Sequence, residues 1–175
     1  NVSMYQFKSV DADLLPELKA LFLEEGKTRG LKGTILLSTE GINAFLSGAS
    51  GSIDAMVHYI RAQGFSIEPK LSPSPDQPFT RFLVKIKKEI IAMGHDNIKP
   101  YQHTAPYVSP DTLNDWLDAG EDVVLLDTRN DYEYTLGTFK GSILLKDLKS
   151  FRAFPERVKT DLPEALKKQK VVTFC

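Results

Sequence analysis

The chain has 175 residues, of which 42% are hydrophobic and 26% are charged, and its formal net charge is −1. These values are ordinary for a globular protein, and the near-neutral balance gives no global argument for nucleic-acid binding, although a local basic patch stays open. There is no apolar run of membrane-spanning length and no secretory signal pattern, and the single cysteine excludes an internal disulfide. We therefore expect a cytoplasmic protein that makes no contact with a membrane.

The first half predicts a ferredoxin-like α+β domain over residues 1–93, with two helices on one face of an antiparallel sheet. Hydrophobic periods of 2 and 3.6 residues alternate in the order strand, helix, strand, strand, helix, strand. Gly26 and Gly64 are the expected helix ends, and Thr39–Gly41 is the expected hairpin turn. The predicted strands are Met4–Phe7, Lys32–Ser38, Ile42–Ser47, an edge strand Phe65–Leu71 and a last strand Phe79–Ile91, and the helices include Leu14–Phe22 and Ile53–Ile60.

A segment with two prolines and no periodicity, residues 94–107, predicts a linker to a second domain over residues 108–175. That domain opens with Ser109-Pro110, an N-cap followed by proline at the first helical position. Val123–Leu126 and Lys170–Phe174 are apolar runs typical of buried parallel strands. The helical stretches expected between them are Phe151–Val158 and Leu162–Gln169. Strand, crossover and strand predict a parallel α/β domain that is only partly present.

Cys175 is the most informative residue of the second domain, because it directly follows the predicted strand Lys170–Phe174. Open α/β sheets place their chemistry at the carboxyl ends of strands, where backbone N–H groups of a following loop can stabilise a thiolate. A buried and inert cysteine is the alternative interpretation of the same position. The three histidines show no metal-ligand spacing with one another or with Cys175, so no metal site is predicted.

Two polar motifs each have two interpretations. Asp127 and Arg129 follow a predicted buried strand, where they either form a structural ion pair or take part directly in catalysis. The motif Glu40-Gly41-Ile42-Asn43 has residue types that tolerate a turn, so a hairpin alone explains it.

Arg81, Lys85 and Lys87 form what we call the basic strip. They occupy alternate positions of the last strand predicted for the first domain, so their side chains lie on one face of the sheet. That face either meets phosphates or is an ordinary solvated surface. Tyr5 and Phe7 also share a face, and we expect them to lie in the core rather than to stack on bases.

One combination of segments extends over nearly the whole chain: Glu40–Asn43, Asp127–Glu133, Leu136–Phe139, Phe151–Pro155 and Val171–Cys175. In this order it closely resembles the rhodanese-domain tRNA uridine hydroxylases, the TrhO family. The resemblance implies a ferredoxin-like (acylphosphatase-like) domain followed by a rhodanese domain. It also implies hydroxylation of the wobble uridine of certain tRNAs to 5-hydroxyuridine, with molecular oxygen as co-substrate and no cofactor identified.

The resemblance also implies roles for individual residues. Cys175 matches the cysteine that begins the family's active-site loop and is expected to be the reactive sulfur, carried as a persulfide or as a thiolate. The basic strip of the first domain is expected to bind tRNA. The residues expected to support the active-site loop are Asp127, Arg129, Asn130 and Glu133.

This sequence departs from the family pattern in two places. The family continues after its cysteine with Thr-Gly-Gly-Ile-Arg-Cys, and because this chain stops at Cys175 we expect the 175-residue chain to be inactive by itself. Ser142–Leu145 stands where the family more often has Ala followed by an Asn-Pro-type turn. Two other functions stay open: a sulfurtransferase that passes a sulfane sulfur to a small acceptor, and a non-catalytic module that binds RNA or protein.

Overall fold

The computed structural model describes residues 1–95, 97–145, 147–164, 166 and 169–175. The chain divides into two units. The first comprises Asn1–Ile91 with Asp96–Thr104, and the second comprises Ala92–His95 with Ala105–Cys175. The segment that the sequence predicts as a linker is thus shared between the two units.

The first unit has the element order of the ferredoxin-like prediction, followed by one additional strand. Its strands are β1 (Val2–Phe7), β2 (Lys32–Ser38), β3 (Gly41–Ser47), β4 (Lys70–Leu71) and β5 (Phe82–Ile86), and its helices are α1 (Leu15–Thr28) and α2 (Ser50–Ala62). The strand order in the sheet is β4-β1-β3-β2-β5. Strands β2 and β5 run parallel, and the other neighbours are antiparallel. The prediction of a wholly antiparallel sheet is therefore wrong at β5, because side-chain alternation shows which residues share a face but not the direction of a strand.

The core of the first unit lies between the two helices and one face of the sheet. In β3, Ile42, Ala44 and Leu46 alternate with more exposed residues and have no accessible surface. Phe22 of α1 and Met56 of α2 are equally buried and belong to the same apolar cluster. Both helices therefore pack on this face, and among the described residues of the first unit no helix packs on the opposite face, which we call the open face.

Gly26 lies inside α1, so the predicted helix end at this residue is wrong. The helix continues to Thr28 and ends where Gly30 takes a positive φ of 67°. The N–H of Gly30 donates to the carbonyl of Lys27, and the N–H of Leu31 donates to the carbonyl of Gly26. This is a Schellman end, which glycine favours because it has no Cβ.

The hairpin between β2 and β3 is confirmed, and its motif does more than turn the chain. Glu40 Oε1 accepts a hydrogen bond from the backbone N–H of Ile90 at 2.7 Å. Asn43 Nδ2 donates to the carbonyl of the same residue at 3.1 Å. Since Ile90 is buried, these two side chains fix the backbone that follows β5 against the hairpin.

Two predicted strands of the first unit are shorter than expected. Of Phe65–Leu71 only β4 pairs in the sheet, although Phe65 and Ile67 are buried in the core. Of Phe79–Ile91 only β5 is a strand. An apolar pattern records burial, and a segment can be buried without joining a strand ladder.

The second unit contains a parallel sheet, as the sequence predicts, and a third strand that the sequence analysis does not predict joins the two expected ones. Its helices are α3 (Pro110–Asp118), α4 (Asp131–Tyr134) and α5 (Phe154–Asp161), and its strands are β6 (Val123–Asp127), β7 (Ile143–Leu144) and β8 (Lys170–Phe174). The strand order is β7-β6-β8. The predicted N-cap of α3 is confirmed, because Ser109 Oγ accepts from the backbone N–H of Thr112 at 3.1 Å.

A short 3-10 turn at Phe151–Ala153 leads into α5, where the sequence predicts a helix. The predicted helix Leu162–Gln169 includes residues 165, 167 and 168, which lie outside the described residues. Leu126, Leu145 and Leu148 form the centre of a small apolar core in this unit. Over the described residues, no helix combines the length and apolar character needed to cross a membrane.

Candidate active site at the carboxyl ends of two parallel strands

Cys175 lies at the carboxyl end of β8, beside the end of β6. The two strands run parallel, and Asp127, the last residue of β6, pairs with Phe174, the last residue of β8. The cysteine that follows is exposed. The sequence-predicted neighbours Asp127 and Arg129 are therefore at the same sheet edge as the sulfur, where α/β sheets place their ligands.

Thr128 fixes the backbone immediately before the cysteine. Its backbone N–H donates to the carbonyl of Phe174 at 3.0 Å, and its Oγ1 donates to the same oxygen at 2.9 Å. Both lone pairs of that carbonyl are thus engaged, and the end of β8 is held to the end of β6.

Asp127 and Arg129 form a hydrogen-bonded ion pair under the site. Arg129 Nε donates to Asp127 Oδ1 at 3.0 Å and Nη2 donates to Oδ2 at 2.7 Å, in the two-pronged arrangement that guanidinium and carboxylate favour. Arg129 Nη2 also donates to the carbonyl of Gly137 at 2.7 Å. Thr138 Oγ1 donates to Asp127 Oδ2 at 2.8 Å, so the buried carboxylate connects β6 to the loop at 137–138.

The protonation of this pair is set by the contact itself. The hydrogen bonds from Arg129 hold the pKa of Asp127 below its ordinary value of 3.8, against burial, which acts in the opposite direction. The hydrogen bonds to Asp127 raise the pKa of Arg129, and the charges of Glu133 and Cys175 act in the same direction. The guanidinium thus stays positive beside the thiol.

An open cavity of about 300 Å³ lies over the sulfur, lined by Arg129, Gly137, Thr138, Phe139, Phe174 and Cys175. The rings of Phe139 and Phe174 meet edge to face, with centroids 4.8 Å apart. The Arg129 guanidinium lies 5.9 Å from the centroid of the Phe174 ring. The cavity therefore combines one cation, one thiol and an aromatic wall, which suits a planar ligand that carries negative charge nearby.

The other two predicted support residues contact each other and are not among the residues that line the cavity. Glu133 Oε2 accepts from the backbone N–H of Asn130 at 3.0 Å and from Asn130 Nδ2 at 2.9 Å. This contact closes the first turn of α4. Glu133 acts on the site through its charge, which contributes to the raised pKa of Arg129.

Sequence reasoning did not single out Thr128, Thr138 or Phe139 as site residues. Their partners lie 46 residues away for Thr128 and 11 residues away for Thr138, so no local pattern identifies them. The one signal in the sequence is that all three residues belong to segments that carry the family resemblance, Thr128 to Asp127–Glu133 and the other two to Leu136–Phe139.

The basic strip lies in the first unit, on the open face. The pairing of β2 with β5 extends at both ends, because Gly33 N–H donates to the carbonyl of Arg81 and Lys87 N–H donates to the carbonyl of Leu37. All three side chains of the strip are exposed. Strand alternation places them opposite the core side chains Phe82 and Val84.

The expectation that Tyr5 lies in the core is wrong. Tyr5 is 54% exposed, and Phe7 is half-buried beside it. Alternation correctly grouped these residues on one face of β1, but Val2 and Met4 occupy the core face. Aromatic residues are favoured in strands whichever face they occupy, so residue type alone did not decide the matter.

In the described ranges, no three side chains of the types His, Cys, Asp and Glu come together as a group that could hold a metal ion.

Comparison with known families matches both units separately. The UPF0176 acylphosphatase-like domain matches residues 1–90, and the rhodanese-like domain matches residues 109–175. Among solved structures, the acylphosphatase from Bacillus subtilis aligns with 48% of this chain and 94% of its own at a TM-score of 0.35 and 11% identity, which is too low to support an inference. The matches and the fold define a class of protein in which an acylphosphatase-like domain precedes a rhodanese-like domain.

Full-length relatives narrow this class. The tRNA uridine(34) hydroxylase of Cupriavidus necator is 43% identical over all of this chain, which spans 63% of that protein. Those of Bordetella parapertussis and Bordetella petrii are 40% and 42% identical over all of this chain, which spans 72% and 71% of their lengths. The chain belongs to the tRNA uridine(34) hydroxylase family.

Proposed function

We propose that the protein hydroxylates the wobble uridine of tRNA to 5-hydroxyuridine, with Cys175 as the reactive sulfur and molecular oxygen as co-substrate. One observation supports this proposal most: the exposed thiol lies at the carboxyl ends of two parallel strands, in a cavity that also contains Arg129. Because the proposed substrate is tRNA, the proposed site of the reaction is the cytoplasm.

The residues around the sulfur have distinct roles in this proposal. Arg129 keeps its positive charge and attracts an anionic form of the sulfur and the phosphates that flank the uridine. Asp127 orients the guanidinium, and the Thr138 hydroxyl holds Asp127 in place. Thr128 holds the strand end from which Cys175 projects. Phe139 and Phe174 provide an apolar wall for the planar base.

The basic strip supplies the contact with the tRNA backbone. Arg81, Lys85 and Lys87 give local positive charge to a chain whose formal net charge is −1. Phosphate contacts of this kind release counterions, so binding weakens as salt rises. Changing all three residues to Glu is expected to lower tRNA affinity and to flatten its salt dependence.

Mass spectrometry of tRNA nucleosides tests the proposal. A strain that lacks the gene for this protein is expected to lose 5-hydroxyuridine, and the wild-type gene is expected to restore it. Unchanged 5-hydroxyuridine together with lost thiosulfate:cyanide transfer would contradict the proposal and support a sulfurtransferase, which the rhodanese-like match favours as the second candidate.

A further inference from the structure

Two aromatic side chains on the open face of the first unit are mostly accessible. Tyr5 and Phe45 are each 54% exposed, although they lie on the central strands β1 and β3. Tyr5 pairs with Asn43 and Phe45 pairs with Ser3, so the two rings are diagonal neighbours on one face. Such neighbours lie roughly 7–8 Å apart, a spacing that allows each ring to receive its own base.

The neighbours of these rings leave them accessible and hold them in place. Phe45 lies between Ser3 of β1 and Thr34 of β2, whose short side chains do not cover it. The Tyr5 ring meets Phe7 edge to face, with centroids 5.9 Å apart, and this contact limits its orientations. A rigid exposed ring loses little conformational entropy when a planar partner stacks on it.

The charge of the open face is complementary to a polyanion. Lys85 pairs with Leu36, Leu36 pairs with Asn43, and Asn43 pairs with Tyr5, so Lys85 and Tyr5 lie in one row across the sheet. Arg81 and Lys87 extend this positive charge along β5. No Asp or Glu occupies the strand positions of β1–β5 that face this side. Cations beside exposed rings are the combination that single-stranded nucleic acids bind.

We propose that the open face binds a single-stranded segment of the tRNA, with bases stacked on Tyr5 and Phe45 and phosphates on the basic strip. The identity of the RNA rests on the proposed function, because the wobble uridine lies in an unpaired loop. Unpaired bases are required, since a paired base has no free face for a side chain. Sheet-surface aromatic residues serve this purpose in common RNA-binding modules.

Binding of two RNAs to the purified chain tests the proposal. The probes are an RNA hairpin with a uridine-containing loop and a fully paired duplex of the same stem, each followed by fluorescence anisotropy. Tyr5→Ala and Phe45→Ala are each expected to weaken hairpin binding by about tenfold, the contribution of one stacked base, and to leave duplex binding unchanged.

Matched variants separate stacking from other effects. Tyr5→Phe keeps the ring and is expected to keep the affinity, whereas Phe45→Leu keeps apolar area without a ring and is expected to lose it. Tyr107→Ala removes another exposed aromatic residue, in the second unit, and is expected to change nothing. Phe45→Trp is expected to give a tryptophan emission that the hairpin quenches, over the unchanged signal of Trp116.

Three outcomes decide the proposal. Unchanged hairpin affinity in the Tyr5→Ala and Phe45→Ala variants would overturn it. The proposal would also be overturned if the wild-type chain sedimented as a dimer and the variant carrying both Tyr5→Ala and Phe45→Ala sedimented as a monomer. The face would then be a contact between copies of the chain. Loss of hairpin binding in these variants, with normal 5-hydroxyuridine in the deletion strain, would support RNA binding by this face and contradict the proposed function instead.

Discussion

At the scale of single residues, Arg129 is the side chain that connects structure to chemistry. It is held by Asp127 and by the carbonyl of Gly137, and its side chain is 21% exposed toward the cavity over the sulfur. A cation held in this way acts on whatever approaches Cys175. Because the sequence has one cysteine, thiol-specific reagents report on that residue alone.

We expect Arg129→Gln to slow the reaction of Cys175 with an anionic disulfide reagent by about fivefold relative to a neutral one. The reason is the loss of about 1 kcal/mol of attraction between the guanidinium and the reagent across a solvent-filled cavity. Stopped-flow rates with the two reagents measure the ratio. Arg129→Lys should keep the preference, and Arg157→Gln, in α5, should have no effect; equal slowing by both reagents in Arg129→Gln would refute the electrostatic role.

Asp127 gives a pH-dependent prediction. Its pKa is below 3.8 in the folded chain, so its contribution to stability is complete above that value and is lost as the pH falls through the lowered pKa. We expect Asp127→Asn to lower the free energy of unfolding of the second unit by roughly 3 kcal/mol at neutral pH. The difference from wild type should shrink as the pH falls below about 4.

Urea unfolding followed by the fluorescence of Trp116, which lies in α3, measures this difference within the second unit. A difference that stays constant between neutral pH and about pH 2 would show that ionisation of Asp127 contributes nothing to stability.

Site residues could be predicted from the sequence where their position next to a predicted strand indicates their role. Asp127 and Arg129 were identified because they directly follow a buried strand. Thr128 was not, since the carbonyl that it contacts belongs to Phe174, and the pairing of β6 with β8 had to be known first. The prediction that Tyr5 is buried was wrong for a similar reason: alternation groups residues by face, but packing determines which face is covered.

At the scale of elements, we expect alanine substitutions at two helical glycines to change stability in opposite directions. A Cβ on Gly26 would lie 2.1 Å from Cζ of the buried Phe82, whereas a Cβ on Gly51 of α2 would have nothing within 4 Å. We expect Gly26→Ala to destabilise the first unit by about 1–3 kcal/mol, because the ring must move. Gly51→Ala should stabilise it by about 0.5 kcal/mol through helix propensity.

Urea unfolding followed by far-ultraviolet circular dichroism measures both variants against wild type. If Gly26→Ala is as stable as wild type, the close packing of α1 on β5 is not as the structure describes it.

The boundaries and directions of helices and strands could be predicted where adjacent residues determine them, and not where residues distant in sequence do. Ser109-Pro110 determines the start of α3 by itself, and the prediction is confirmed. The prediction of a helix end at Gly26 is wrong because this position is glycine for a different reason. The ring of Phe82, which is 56 residues away in sequence, leaves no space for a Cβ. The parallel direction of β5 likewise depends on the whole sheet.

At the scale of the whole molecule, each unit supplies one part of the proposed activity. The acylphosphatase-like unit presents aromatic rings and cations on its open face, and the rhodanese-like unit presents the thiol beside a fixed guanidinium. The family was recognisable from the sequence because its segments extend over both units. The hydrogen bonds that hold each site could be identified only from the structure.

The most direct test is the 5-hydroxyuridine content of tRNA in a deletion strain that carries the gene with Cys175→Ser. Serine is similar in size but is a much poorer nucleophile near neutral pH. Thr138→Ser, which keeps the hydroxyl that donates to Asp127, is the matched control from the same cavity. We predict that the wild-type gene and Thr138→Ser restore 5-hydroxyuridine and that Cys175→Ser, accumulating to the same protein level, does not; restoration by Cys175→Ser would contradict the assignment of Cys175 as the reactive sulfur.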